Sequence, residues 1–349
     1  MPDFISKTGD PGSYHDAVNR IVGYLKTGHC IPFLGAGASI PDLKPSATNK
    51  PETEEVSSGQ PIPDNGQRSA PLSDQTVPSG TGMAGELALK LGIDPLIQMD
   101  LPMAAFLFER VHDRQTLTTY IGDRLTGQPP SEAHRVLAKI IIYLHSHRSL
   151  EMRPVELIIT TNFDQQLENE LVYLNRKLPL RPPIKINTII ASTRSQQAKQ
   201  IEEDSVNLLK LHGCVSDSDS LIVTDDDYIK MLNRLGGSVP TTFIDVTILG
   251  EIPKAGLLFL GYSLGDWDFR AFYEALMGNR SPSKKYTSYA VQRRPANPKE
   301  ARKWDVTARY WLEKGIRVID SLASDFLWDV YTQLNPQTGD REIEIKSGD

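Results

Sequence analysis

Apolar residues recur at helical spacing between Tyr14 and Thr27, at Ala17, Ile21, Tyr24 and Leu25, and the pattern stops at Gly28. Ile31 to Leu34 follow as an apolar run too short for a helix, which predicts a buried strand leading into "GAGAS". Helical patterns resume over Met83 to Leu91, Leu101 to Arg110, Leu117 to Leu125 and Glu132 to His145. The last of these gathers Val136, Leu137, Ile140, Ile141 and Leu144 on one side. Beyond it the rhythm alternates. A strand at Glu156 to Thr160 precedes a helix from Gln165 to about Asn175, and further strands fall at Val206 to Leu211, Ser220 to Thr224 and Ala255 to Leu260. A helix over Asp225 to Arg234 carries a capping signature at Thr224 and Asp227, and another spans Phe269 to Met277. The strand "YTSYAVQ", a helix through Ala301 to Lys314, the strand "IRVID" and a helix near Phe326 to Leu334 complete the series.

Strands alternating with helices predict an α/β fold, doubly wound about a mostly parallel, Rossmann-like sheet. The expected organisation is one domain over residues 1–349 with a helical subdomain at about 83–150. Residues 41–82 interrupt the pattern with a stretch rich in Pro, Ser, Thr, Gly and Asn, which predicts a mobile insertion or a loop that orders around a ligand. In parallel sheets ligands bind outside the carboxyl ends of the strands. "GAGAS", "TNFD", "HG" and "GYS" all follow predicted strands at that end.

Composition narrows the chemistry. The 38 Lys+Arg against 44 Asp+Glu give a net charge of −6, and the basic residues are scattered, so the footprint of a nucleic-acid binder is missing. No run approaches the roughly 20 apolar residues of a membrane span, and the first residues lack an apolar signal core, so the expected location is cytoplasmic. Two cysteines, Cys30 and Cys214, exclude a disulfide framework and a four-cysteine zinc site. His29/Cys30 and His212/Cys214 also lack structural zinc spacing, and no metal is expected.

The motifs can then be weighed. Gly35 and Gly37 could let a pyrophosphate approach the backbone, with amides around Ala36 to Ser39 and the Ser39 hydroxyl as donors; the alternative is a tight turn needing φ > 0. No third glycine opens a helix and Glu54 and Glu55 end no strand, which argues against a redox dinucleotide; no Gly-Lys-Ser/Thr supports an NTPase. Asn162 and Asp164 either face a pocket or cap the following helix. His212 is either a satisfied core histidine or a general base. Asp225 to Asp227, and Asp266 with Asp268, read as helix-terminal charges.

"FLGAGAS", "TTNFD", "KLHG" and "LFLGYSLGDWD", in this order, resemble the SIR2-like family, bacterial relatives of the sirtuins. The resemblance implies a sirtuin-type fold and NAD+ as substrate. By it, Gly35, Ala36, Gly37 and Ser39 hold the pyrophosphate, Gly261 and Ser263 a phosphate and the adenosine-side ribose, and Asp164 the carboxamide. Asn162 holds the nicotinamide ribose and its attacking water, and His212 is the base. Departures matter too: the zinc module of the deacetylases is absent, "IPDLKPS" has Leu43 and Lys44 where an arginine is expected, and "TTN" replaces "TQN". The resemblance therefore implies an NAD+ glycohydrolase that depletes NAD+ in antiviral defence, as a homo-oligomer or with a partner protein such as an ATPase. A zinc-free deacylase and a silent NAD or ADP-ribose sensor are the alternatives.

Overall fold

A computed structural model describes residues 4–41, 78–94, 97–149, 155–177, 183–191, 200–236, 244–265, 267–277 and 285–337. Among the described residues eight strands form one sheet: β1 (Phe4–Ser6), β2 (Cys30–Leu34), β3 (Leu157–Thr160), β4 (Lys185–Ile190), β5 (Ser205–Lys210), β6 (Gly256–Leu260), β7 (Ser288–Val291) and β8 (Ile316–Asp320). Their order is β1-β8-β7-β6-β2-β3-β5-β4 and every pairing is parallel. The chain builds outward from β2 through β3 to β4 on one side, then returns to lay β6 on the other. The order reverses at β2 and β6, which opens a crevice at their carboxyl ends.

The eleven helices among the described residues are α1 (Pro11–Lys26), α2 (Gly80–Lys90), α3 (Leu101–Val111), α4 (Arg114–Leu125), α5 (Glu132–Ser146), α6 (Gln166–Lys177), α7 (Asp225–Gly236), α8 (Val246–Glu251), α9 (Trp267–Met277), α10 (Pro298–Glu313) and α11 (Ala323–Leu334). Alternate strand residues feed opposite layers, because successive side chains point to opposite faces. Leu34, Ile158, Leu208, Leu258 and Leu260 pack with α1, α5, α6 and α11. Phe33, Ile159, Leu209, Leu257 and Phe259 pack with α7 to α10. The sheet is thus covered on both faces, which is the doubly wound α/β architecture expected. A third, smaller core joins α2, α3 and α4 through Leu87, Ala104, Phe108, Leu117 and Ile121, together with Leu221 and Val223. α5 belongs to the main core, against α6 and α11.

Three differences from the sequence pattern have physical causes. Ser220 to Thr224 is not a strand: after a 3-10 turn at Ser218–Ser220 the segment folds back along the preceding loop. Its polar groups are taken locally, the Ile222 amide by the His212 carbonyl and the Leu221 carbonyl by Arg114, while Leu221 and Val223 enter the small helical core. α2 begins at Gly80 rather than Met83, because the Ser79 hydroxyl caps it by accepting the Gly82 amide at 3.0 Å. Of the insertion at 41–82, residues 42–77 lie outside the described residues, as do Glu54 and Glu55, Leu43 and Lys44, and the side chains of Asp266 and Asp268.

Candidate active site

Six strand ends converge on a cavity of about 770 Å³. Ala36, Gly37 and Ser39 after β2, Asn162 and Asp164 after β3, His212 after β5, and Gly261 and Ser263 after β6 all line it. Gly35 stands behind the lining. Two further strand ends contribute Gln292 and Arg293 after β7 and Ser321 after β8, and the helical segment closes the opposite side with Ser79 to Thr81, Met83 and Asp100 to Pro102. The sequence pattern singled out neither group, since no Gly-rich or His-bearing motif marks them.

The glycines serve loop-to-loop contact. Neither Gly35 nor Gly37 has a positive φ; Gly35 is extended at −110°. Instead the turn after β2 lies directly on the turn after β6. The Gly35 amide donates to the Leu260 carbonyl and the Gly37 amide to the Gly261 carbonyl, both at 2.9 Å. A Cβ on Gly37 would sit 2.8 Å from the Gly261 oxygen, and one on Gly261, whose φ is +72°, 2.1 Å from the Ala38 nitrogen. The Ala38 and Ser39 amides close the 3-10 turn onto Gly35 and Ala36. Among residues 35–39 the amides of Gly35, Gly37, Ala38 and Ser39 are therefore committed inside the protein, and the Ala36 N–H alone is uncommitted among the described residues. This corrects the expectation of several amide donors for a phosphate.

Ser39 departs from its expected role in the same way. It is 3% exposed, and its hydroxyl donates to Asp164 Oδ2 at 2.7 Å. Asp164 also caps α6, Oδ1 accepting the Gln166 amide at 3.0 Å. The capping reading of this stretch thus applies to Asp164, not to Asn162. With its proton committed to a carboxylate, Ser39 Oγ can only accept from Asn162, whose Nδ2 lies 2.8 Å away. Asn162 Oδ1 is consequently the end left over, buried and without a hydrogen-bond partner among the described residues.

His212 completes the arrangement. Gly213, at φ +85°, turns the chain where a Cβ would meet the Ser220 carbonyl 2.3 Å away, and this turn places the imidazole on the cavity. Nδ1 lies 3.3 Å from the Tyr228 hydroxyl, while Nε2 is buried without a partner among the described residues. Burial alone pushes the imidazole down to about 3, so it is neutral at neutral pH. Beneath the site, Lys210, 1% exposed, donates to the Asp164 carbonyl and to Glu168 Oε1, at 3.0 Å for the latter. His134 Nδ1 lies 3.0 Å from Gln166 Oε1, and the Ser131 hydroxyl donates to the Ala38 carbonyl. This buried network ties the turns after β2, β3 and β5 into one unit.

Cys30 is buried and its thiol is pushed up to about 12 by desolvation. No group of three or more His, Cys, Asp or Glu side chains among the described residues is arranged to hold a metal. No helix among them is long and apolar enough to cross a membrane.

Residues of all four motifs, from the glycine turn, the Asn-bearing turn, the His-Gly turn and the Gly-Tyr-Ser turn, thus line one cavity. Residues 156–319 match the family model of the SIR2-like domain, so the chain carries a SIR2-like segment over those residues. The match begins after the glycine turn. Among curated proteins, the NAD(+) hydrolase ThsA of Enterococcus faecium is 25% identical over 185 residues, covering 51% of this chain and 32% of that protein. The NAD(+) hydrolase ThsA of Cytobacillus dafuensis is 23% identical over 188 residues, 54% of this chain and 32% of that protein. The aligned region spans about a third of the length of either relative. A solved structure described as "Structural Basis for the Mechanism and Regulation of Sir2 Enzymes" aligns over 93% of this chain and 98% of its own, with 12% identity and a TM-score of 0.41. The fold class rests on the parallel, doubly covered sheet itself.

Proposed function

We propose that the chain is an NAD+ glycohydrolase, cleaving the bond between nicotinamide and ribose to give nicotinamide and ADP-ribose. The observation that carries this reading is that two residues lining one cavity, Asn162 and His212, each hold a buried atom without a partner among the described residues, Oδ1 and Nε2. Buried polar groups are ordinarily satisfied, and exceptions ask for a ligand. The residue types suit the chemistry. Nicotinamide leaves a cationic pyridinium as a neutral molecule, so no strong general acid is needed; what is needed is an orienting acceptor and a neutral base for one hydroxyl or water. Asn162 Oδ1 supplies the acceptor and His212 the base.

In this reading Ala36, Gly37, Gly261 and Ser263 line the phosphate-bearing part of NAD+, with Gly35 supporting them from behind and Ser39 on the lining beside them. Asp164, which lines the cavity and accepts from the Ser39 hydroxyl, is the group assigned to the carboxamide. The names of the two relatives support NAD+ as substrate. The proposed setting is a defence effector in the cytoplasm, acting as a homo-oligomer or with a partner protein such as an ATPase, with residues 1–349 as one catalytic unit.

Purified protein incubated with NAD+ should release nicotinamide, and Asn162→Ala and His212→Ala should each abolish release while leaving the circular dichroism spectrum unchanged. Unchanged turnover in both variants overturns the assignment. Formation of O-acetyl-ADP-ribose with an acetyl-lysine peptide would instead make the chain a deacylase.

A further inference from the structure

His212 lines the cavity with one ring nitrogen, Nδ1, on a protein partner and the other, Nε2, buried and unpartnered among the described residues, and the partner decides which nitrogen carries the proton. We propose that Tyr228 is a positioning residue for His212: its phenol oxygen accepts the Nδ1 proton, leaving the lone pair on Nε2. The inference rests on the reading of His212 as the base, because a phenol that donated to Nδ1 instead would leave the proton on Nε2 and the imidazole unable to take another.

Tyr228 is suited to the task by burial and by anchoring. It is 9% exposed and lines the same cavity. Its ring meets that of His212 edge-on at 5.0 Å and 71°, and Phe272 and Phe163 border the imidazole at 6.3 and 6.5 Å. Rotation of the imidazole would therefore displace an aromatic ring. The first turn of α7, from which Tyr228 projects, is fixed from two directions. Thr224 and Asp227 form a reciprocal cap, the Asp227 amide donating to Thr224 Oγ1 at 3.3 Å and Asp227 Oδ2 accepting the Thr224 amide at 3.2 Å. Arg114 on α4 then reaches across to Asp227 Oδ2 at 2.7 Å and to the Leu221 carbonyl. The α2–α4 segment thus holds the turn that orients the base through Arg114 and, at the surface, through Arg110 of α3, which reaches Asp226 Oδ2 at 3.3 Å. Burial is the sole cause of the depressed imidazole basicity, which fits a neutral phenol rather than a carboxylate as the Nδ1 partner.

Histidine-¹⁵N-labelled full-length protein, observed through two-bond ¹H–¹⁵N correlations, reads the tautomer directly; the His212 signals are those lost in His212→Gln. The expected result is an Nδ1–H imidazole in the wild type and a shift toward Nε2–H in Tyr228→Phe. With it, kcat for nicotinamide release should fall about tenfold or more, KM for NAD+ staying within about twofold. A merely structural tyrosine would change thermal stability without moving the tautomer. An Nε2–H wild type, or a Tyr228→Phe variant with the wild-type tautomer, overturns the proposal. Should the variant fail to fold, the wild-type tautomer decides alone. If His212→Gln still turns over NAD+, the reading of His212 as base fails while the spectrum still reports the Tyr228 pairing separately.

Discussion

Ser39 Oγ accepts the side-chain N–H of Asn162 at 2.8 Å while giving its own proton to Asp164 at 2.7 Å. Because a carboxylate here only accepts, the direction of both bonds is fixed, and so is the amide end that Asn162 leaves unpartnered among the described residues. Ser39 therefore orients Asn162 through its hydroxyl, and this gives it a different mutational signature from a phosphate ligand.

Ser39→Ala should release the Asn162 amide to rotate and leave Asp164 Oδ2 unsatisfied. We expect turnover of NAD+ to fall on the order of 10- to 100-fold through misorientation, with KM changing much less, and stability to fall by about 1–3 kcal/mol. Steady-state kinetics and urea denaturation of the same preparation separate the two. A large rise in KM at constant kcat would instead return Ser39 to the role of a direct substrate contact.

The contact between the turns after β2 and β6 predicts a second outcome. Gly261→Ala would place a Cβ 2.1 Å from the Ala38 nitrogen at a φ of +72°, where L-residues are strained by about 1–2 kcal/mol even with space available. Backbone overlap adds to that, so the variant should unfold at markedly lower temperature and lose activity together with stability. Gly23→Ala is the matched control: it lies inside α1 with nothing within 4 Å of an added Cβ, and should stabilise by about 0.4–1 kcal/mol. Thermal melts of both variants check the pair, and equal melting temperatures would refute the close-contact account.

Much of this was legible in the chain. The strands after Ile31, Glu156, Val206 and Ala255 are buried on both faces, so their apolar runs are nearly continuous, and their shared carboxyl-end motifs pointed to one crevice. β1 was hidden because three residues carry no period, and β4 because "KINTII" is a half-exposed edge strand whose polar positions mask it. Ser220 to Thr224 looked like a strand because its apolar residues are buried, though Leu221 and Val223 lie against α2–α4 and Ile222 alone packs in the core under the sheet. Within the site, Asn162 and His212 were visible by type and position. The roles of Ser39 and Tyr228 were not, since each depends on which partner a hydroxyl meets across more than ten residues of sequence. The capping signature at Thr224 and Asp227 was readable; that Asp227 also receives Arg114 from α4 was not, because nothing local encodes it.

Buried neutral histidines should make the protein sensitive to mild acid. His212 is held down to about 3 by desolvation, and burial also lowers His134 and His145 below the ordinary 6.5. Once the pH drops below 6.5 the unfolded chain binds protons that the native state refuses, so stability is greatest above that value and declines as pH falls. The ceiling is about 1.4 kcal/mol per pH unit for each such histidine. Carboxylates held low by hydrogen bonds, such as Asp113 through the Thr116 amide, act with the same sign but only as pH approaches and passes below 3.8. Glu170 and Asp225, whose carboxyls burial raises, act with the opposite sign, so the difference between wild type and variant isolates the histidine. Urea midpoints measured at pH 7.5, 6 and 5 should fall for the wild type, and His212→Gln should show a slope smaller by up to about 1.4 kcal/mol per unit. An identical slope in His212→Gln would mean that burial does not keep this imidazole neutral.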